Sequence, residues 1–235
     1  MFITQTKVSE KVEQRRLYTL GEEIFNSVTH GIGSIIAIAS LVLLIVFAVI
    51  YGDGWCLASG IVYGITMVIL YTMSTLYHAI TPKAAKKVFR IFDHCSIFLL
   101  IAGTYTPYAL VTLNTSKCST IFGLNLGWVI FGVVWGLAVI GILFAALQKS
   151  KKYIELPLYL LMGWIIVFTL KDLMAALPRG GVVLLIAGGI VYTIGAVFFI
   201  MHKWKYMHSI WHIFVLGGSI LHFFSILLYV FPVLR

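Results

Sequence analysis

Charge is scarce in this chain. Only 11% of its 235 residues are Asp, Glu, Lys or Arg, against roughly 25% in a soluble domain. That shortage excludes an ordinary water-soluble fold. A hydrophobic content of 61% and a mean hydropathy of +1.02 make the chain an integral membrane protein. Acidic residues are the scarcest, eight against 17 Lys and Arg. In a membrane chain the resulting +9 reads as orientation and contact with acidic lipid headgroups. No nucleic-acid motif accompanies it, so no nucleic-acid partner is expected. Cysteine is rare too. The three residues form no CxxC and no Cys/His zinc-finger spacing. Cys56 and Cys118 fall toward the outer side, which leaves a bridge open, but three free thiols are the expected reading. No cleavable signal peptide is expected either. The first 20 residues are polar and basic, and residues 1–21 read as a short cytoplasmic arm.

What the chain has instead is long apolar runs. Seven stretches are long enough to span a bilayer as helices: 26–50, 55–80, 92–113, 123–147, 156–177, 181–200 and 209–232. Short connections join them into one domain, residues 22–235, with antiparallel neighbours. The expected fold is an all-α membrane protein, a seven-helix transmembrane bundle. Pro157 suits the first turn of the fifth helix and Pro178 its end, while Pro107 should kink the third. Gly60/Gly64 and Gly132/Gly136 allow close helix approach. Thirteen of the 17 Lys and Arg fall in the N-terminal arm and the 2–3, 4–5 and 6–7 connections. The positive-inside rule then places the N-terminus in the cytoplasm and the C-terminus outside. The expected location is the plasma membrane, crossed many times.

Polar groups collect at one end of the helices. His208 opens the seventh helix, ~5 Å past Lys205, and His212 lies one turn deeper. His78 closes the second helix, ~8 Å from Lys83, and Asp93 opens the third, ~5 Å past Arg90. Glu22, Asn26 and His30 form an i, i+4, i+8 row entering the first helix. All fall at the cytoplasmic end. Residues i and i+4 share a helix face, so His208 and His212 can address one ion. His78 would complete a three-histidine set, the usual form of a catalytic zinc site with one position open. Ser74 lies on the face of His78 and suits a hydrogen bond to an imidazole or to water. Asp93 is a candidate proton acceptor. Ionisable groups inside a membrane bundle default to a functional reading. Glu22, Asn26 and His30 either line the cavity or cap the bundle. His94 faces another way and reads as interfacial. His222 is too deep for the same ion and reads as a buried hydrogen bond. His202 reads as solvated, and Lys171 and Asp172 as snorkelling to the interface.

Four motifs together resemble the hemolysin III family, bacterial relatives of the progestin and adipoQ receptors. EEIFNSVTH carries Glu22, Asn26 and His30. STLYH carries Ser74 and His78. RIFDHCSI carries Asp93. HSIWH carries His208 and His212, followed by LHF at His222. The resemblance implies a seven-helix fold with the N-terminus inside and zinc held by His78, His208 and His212. It also implies Asp93 and Ser74 beside the water of that site, and metal-dependent hydrolysis, including of lipid amides.

The expected function is zinc-dependent hydrolysis of a lipid-like amide or ester that enters from the bilayer. A non-enzymatic sensor or regulator of membrane lipid with structural zinc is a second reading. Membrane lysis is a third, although a pore needs a continuous polar lining. A serine triad of Ser74, His78 and Asp93 is a fourth, but there is no GxSxG elbow.

Overall fold

The computed structural model describes residues 18–115, 119–121, 123–147, 152–201 and 203–234. Among these described residues, seven helical spans are long and apolar enough to cross a membrane. The first two are α1 (Leu20–Tyr51) and α2 (Gly54–Ala79). The third is α3 (Lys83–Pro107), prolonged by a π-helical turn over Tyr108–Thr112. A two-residue hairpin, β1 (Thr120–Ile121) and β2 (Leu124–Asn125), precedes α4 (Leu126–Ala146). The fifth span is α5 (Lys152–Trp164), a 3₁₀ segment (Ile165–Thr169) and α6 (Leu170–Ala176). Then come α7 (Arg179–Ile200) and α8 (Met207–Ser225), the last continuing as a π-helical turn over Ile226–Val230.

The span boundaries expected from hydropathy hold to within a few residues at most ends. The third begins earlier. Lys83, Lys86, Lys87 and Arg90, expected in a loop, form the first turns of α3 behind the N-cap Pro82. Their run KAAKKVFR is rich in strong helix formers. Residues 123–125 belong to the hairpin rather than to a helix. Gly123 takes a positive φ of 76° in its turn, and Asn125 caps α4 by accepting from Gly127 N at 3.1 Å. Pro157 lies inside α5, because that helix starts at Lys152. Pro107 has no N–H, and the chain runs on past it with a wider turn closed by Leu113 N to Tyr108 O at 2.7 Å.

The third span is the central one, with 83% of its apolar window buried. α1, α2 and α3 pack in sequence, α4 lies against α3, and α8 packs between α1 and α7. Gly64 makes the α1–α2 approach possible: a Cβ there would lie 2.5 Å from Leu41 Cδ1. Gly132 and Gly136 face open space instead and join nothing among the described residues. α1 buries one narrow stripe, Glu22, Asn26, His30, Gly33, Ala37, Ser40, Leu44 and Ala48. Its ionisable and amide members, Glu22, Asn26 and His30, lie at its lysine-rich end, and Ser40 lies midway. The fifth span is broken in mid-membrane around the Tyr105 hydroxyl. That hydroxyl donates to Gly163 O and accepts from Ile166 N, both at 2.8 Å. Cys56 and Cys95 are free and buried. Cys118, His202 and residues 1–17 of the arm lie outside the described residues.

Candidate metal centre

α8 begins at Met207, after Tyr206 in the left-handed region at φ 63°. Two contacts fix that start. Tyr206 N donates to Glu22 Oε1 at 2.8 Å, and Tyr206 O accepts from Ile210 N at 2.9 Å. His208 and His212 follow on one face, both buried. Their Nε2 atoms lie 3.1 Å apart. His78, on the last turn of α2, meets both rings, with centroids 5.4 Å from His208 and 5.0 Å from His212. One nitrogen from each of the three lies within 4.8 Å of the others.

This donor set fits a metal ion. Bonds of 2.0–2.1 Å to tetrahedral zinc imply nitrogen separations of about 3.3 Å, so small side-chain shifts suffice. The His78 Nε2 atom is buried and has no hydrogen-bond partner among the described residues. A buried polar atom left so is costly and calls for an explanation; an ion would satisfy it. Imidazole also suits copper, nickel and iron.

The remaining sequence candidates fall into four positions. His30 lies against the cluster, its ring stacked on His212 with centroids 3.6 Å apart. Asn26 sits beneath it, fully buried, accepting from Ser209 Oγ at 2.6 Å. Ser74 and Asp93 are buried and line one cavity with His30, His208 and His212. Glu22 is placed elsewhere. It forms a capping box with Thr19 and ties α1 to Tyr206, and it is not part of the cavity wall. No Ser74–His78–Asp93 triad is formed. His78 Nδ1 is engaged by Glu23 Oε2 at 2.7 Å, and its Nε2 has no hydrogen-bond partner among the described residues.

The other histidines and acids also have definite places. His94 turns from Asp93 toward α5, where its Nδ1 meets Glu155 Oε2 at 2.7 Å. It is a helix-to-helix contact on the cavity wall rather than a headgroup contact, because Glu155 arrives opposite it. His222 forms the expected buried bond, Nε2 to Leu185 O at 3.0 Å. Asp172 does not snorkel freely; it accepts from Ser119 N and Oγ at 2.6 and 2.8 Å.

Sequence reasoning missed Glu23, Tyr18 and Glu155. Glu23 adjoins Glu22, in a first turn where any acid favours the helix dipole. Tyr18 covers the cluster, stacked on His208 at 4.8 Å and edge-on to His78 at 5.6 Å. Burial raises its phenol well above the ordinary value, and the nearby Tyr77, Asp93 and Glu23 add to the shift. Tyr18 therefore covers the cluster as a neutral phenol.

The cavity encloses about 360 Å³. It starts at Tyr18, Arg90 and Asp93 and extends along α8 past Val215 to His222. Beyond the polar end its walls are mostly apolar, from Leu100, Ile101, Leu173, Leu185 and Ile186 among others, with Thr104, Tyr192, Thr193 and His222 interspersed. The five broken-span residues Gly163, Trp164, Ile166, Val167 and Leu170 form one side.

A sequence profile described as "Haemolysin-III related" matches residues 18–223. The chain belongs to this family. Its similarity to haemolysin-III relatives is extensive. It is 43% identical over 213 residues to "Hemolysin-3" of Bacillus cereus, covering 90% of this chain and 93% of that protein. It is 43% identical over 215 residues to "Hemolysin-3 homolog" of Bacillus subtilis (strain 168), covering 91% and 96%. At 28% identity over 225 residues it is similar to human "Monocyte to macrophage differentiation factor", covering 91% and 86%. That distant likeness fits the wider progestin and adipoQ receptor group. Family and seven apolar spans together make this haemolysin-III chain a multi-pass integral membrane protein, and its bacterial relatives point to the plasma membrane.

Proposed function

We propose that this haemolysin-III chain is a zinc-dependent intramembrane hydrolase of a lipid-like amide or ester, its site facing the cytoplasm. The observation that carries the reading is the junction of a buried three-histidine cluster with a long apolar cavity. A polar site alone suits many roles. A polar site at the mouth of an apolar tunnel suits a molecule with one carbonyl and one long chain.

His78, His208 and His212 would hold the ion. When bound, zinc supplies a Lewis acid that polarises a carbonyl and acidifies water. Asp93 takes the proton released by the attacking water and returns it to the leaving nitrogen or oxygen. The Ser74 hydroxyl orients that water. Tyr18 covers the cluster from the lysine-rich end and keeps bulk water away. The apolar walls hold the acyl chain, which enters sideways from the bilayer because it gains nothing by leaving lipid.

Purpose as a structural pin alone is less well supported. α2 and α8 are already fastened without an ion: Tyr63 OH donates to Ser219 O at 3.2 Å and Tyr71 OH to Ser219 Oγ at 2.7 Å. A pore is also less well supported, since the deeper cavity walls are mostly apolar and a conducting path needs a continuous polar lining.

The test is turnover. Purified protein carrying zinc, in lipid nanodiscs, is offered a panel of lipid amides and esters of varied acyl length. Hydrolysis that chelation abolishes and zinc restores supports the proposal. A fully zinc-loaded protein that leaves the whole panel intact contradicts it.

A further inference from the structure

A carboxylate stands behind one of the three histidines. Glu23 lies in the first turn of α1, and its two oxygens face two different partners. Oε2 is 2.7 Å from His78 Nδ1, and Oε1 is 3.0 Å from Lys86 Nζ. Lys86 is fixed in turn. Its ammonium donates to the carbonyls of Tyr77, His78 and Ile80 at 2.8, 3.4 and 3.4 Å, closing the end of α2. Three helices thus meet at one carboxylate.

An ionised carboxylate only accepts hydrogen bonds. The proton of a neutral His78 therefore sits on Nδ1, and the lone pair sits on Nε2. Nε2 is buried and lacks a hydrogen-bond partner among the described residues. Asn26 cannot serve in place of Glu23. Its amide nitrogen stands 3.5 Å from the same Nδ1, at the limit of a hydrogen bond, and it donates rather than accepts. Its oxygen is occupied by Ser209.

We infer that Glu23 is a positioning residue. It sets the tautomer and ring plane of His78 so that Nε2 is presented to the ion, and Lys86 anchors it in that task. The inference rests on the reading of His78, His208 and His212 as a metal centre. Carboxylates placed behind a ligating imidazole typically govern metal affinity by 10–100-fold. Glutamine is the informative replacement. Its amide has one acceptor oxygen where the carboxylate has two. The charged Lys86 takes that oxygen, which turns the amide NH₂ toward His78 and favours the wrong tautomer.

Two measurements on the full chain in nanodiscs test this. The first is zinc affinity by chelator competition for wild type, Glu23→Gln, Glu23→Asp and Glu22→Gln. The second is the ¹⁵N-histidine NMR spectrum of zinc-free protein, with His78 assigned by its loss in His78→Ala. Glu23→Gln weakens zinc about tenfold or more, Glu23→Asp weakens it less, and Glu22→Gln stays within about twofold of wild type, because Glu22 caps a helix instead. Zinc-free wild type shows His78 protonated at Nδ1, and Glu23→Gln moves the proton to Nε2. A merely structural Glu23 would lower stability and leave the tautomer alone. Wild-type zinc affinity in Glu23→Gln overturns the inference while leaving the metal centre intact. So does an Nε2-protonated His78 in the wild type, a result available even if Glu23→Gln fails to fold. A wild type that takes up no zinc overturns the metal centre itself, and the inference with it.

Discussion

His30 lies flat on His212, with ring centroids 3.6 Å apart and planes inclined by only 11°. The second ring is a candidate ligand on α8; the first comes from α1. His30 is itself held edge-on by Tyr71 at 5.1 Å, and the Tyr71 hydroxyl reaches back to Ser219 on α8. Gly33 permits this approach, since a Cβ there would stand 2.6 Å from the Tyr71 ring. The plane of His212 is therefore set by two helices other than its own. Replacing His30 with Phe keeps a flat ring and keeps zinc affinity. His30→Ala removes the stack, worth about 1 kcal/mol, and weakens zinc roughly fivefold. Chelator competition on the two variants checks the difference; equal affinities would deny the stack any role.

Glu22 gives the opposite pattern. Its carboxylate accepts from Thr19 N, Thr19 Oγ1 and Tyr206 N at 2.8, 2.7 and 2.8 Å. Glu22→Ala removes a cap and the tie to α8, and costs about 1–2 kcal/mol of stability. Zinc affinity and turnover per folded molecule stay near wild type. Unfolding in mixed detergent, followed with a zinc titration of the surviving protein, separates the two effects. A large drop in turnover at full zinc occupancy would return Glu22 to the reacting centre.

Asp93 is the residue that divides the enzyme from the sensor. Asp93→Asn removes the proton acceptor while preserving shape, so turnover falls by about 10²–10⁴-fold. Zinc stoichiometry stays at the wild-type level, because the three imidazoles are untouched. Stopped assays beside elemental analysis of the same sample give both numbers. Unaltered turnover would remove Asp93 from the chemistry.

Much of this architecture is legible from residue spacing. Spans show because a bilayer demands about 20 apolar residues in a row, and His208 and His212 show because i, i+4 is a fixed helical geometry. Interactions between helices do not show. The break in the fifth span has no breaker in IIVFT itself; its cause is the Tyr105 hydroxyl, some sixty positions earlier. His94 and Glu155 are similarly distant partners. Glu23 is the sharpest case. Glu22 and Glu23 are neighbours of identical chemistry, yet one caps a helix and the other faces His78 and Lys86. Only the lean of α1 on α2 decides which is which.

The depth of the cavity makes a prediction about chain length. Gly189 lines its wall, and a Cβ there would meet nothing closer than Trp164 at 3.8 Å. Gly189→Leu fits into the empty space without disturbing the metal centre. Long-chain substrates then lose about tenfold in kcat/KM, a loss of about 1.4 kcal/mol, while short-chain substrates change less than about twofold. A uniform loss across acyl lengths would place the chain somewhere else.

The most direct measurement is the metal content of purified wild-type protein beside His208→Ala/His212→Ala, by elemental analysis. About one zinc per wild-type chain is expected, in keeping with a three-histidine site, and none in the double variant. Wild-type protein that holds no metal after zinc is offered, or a double variant that retains it, would contradict the central claim.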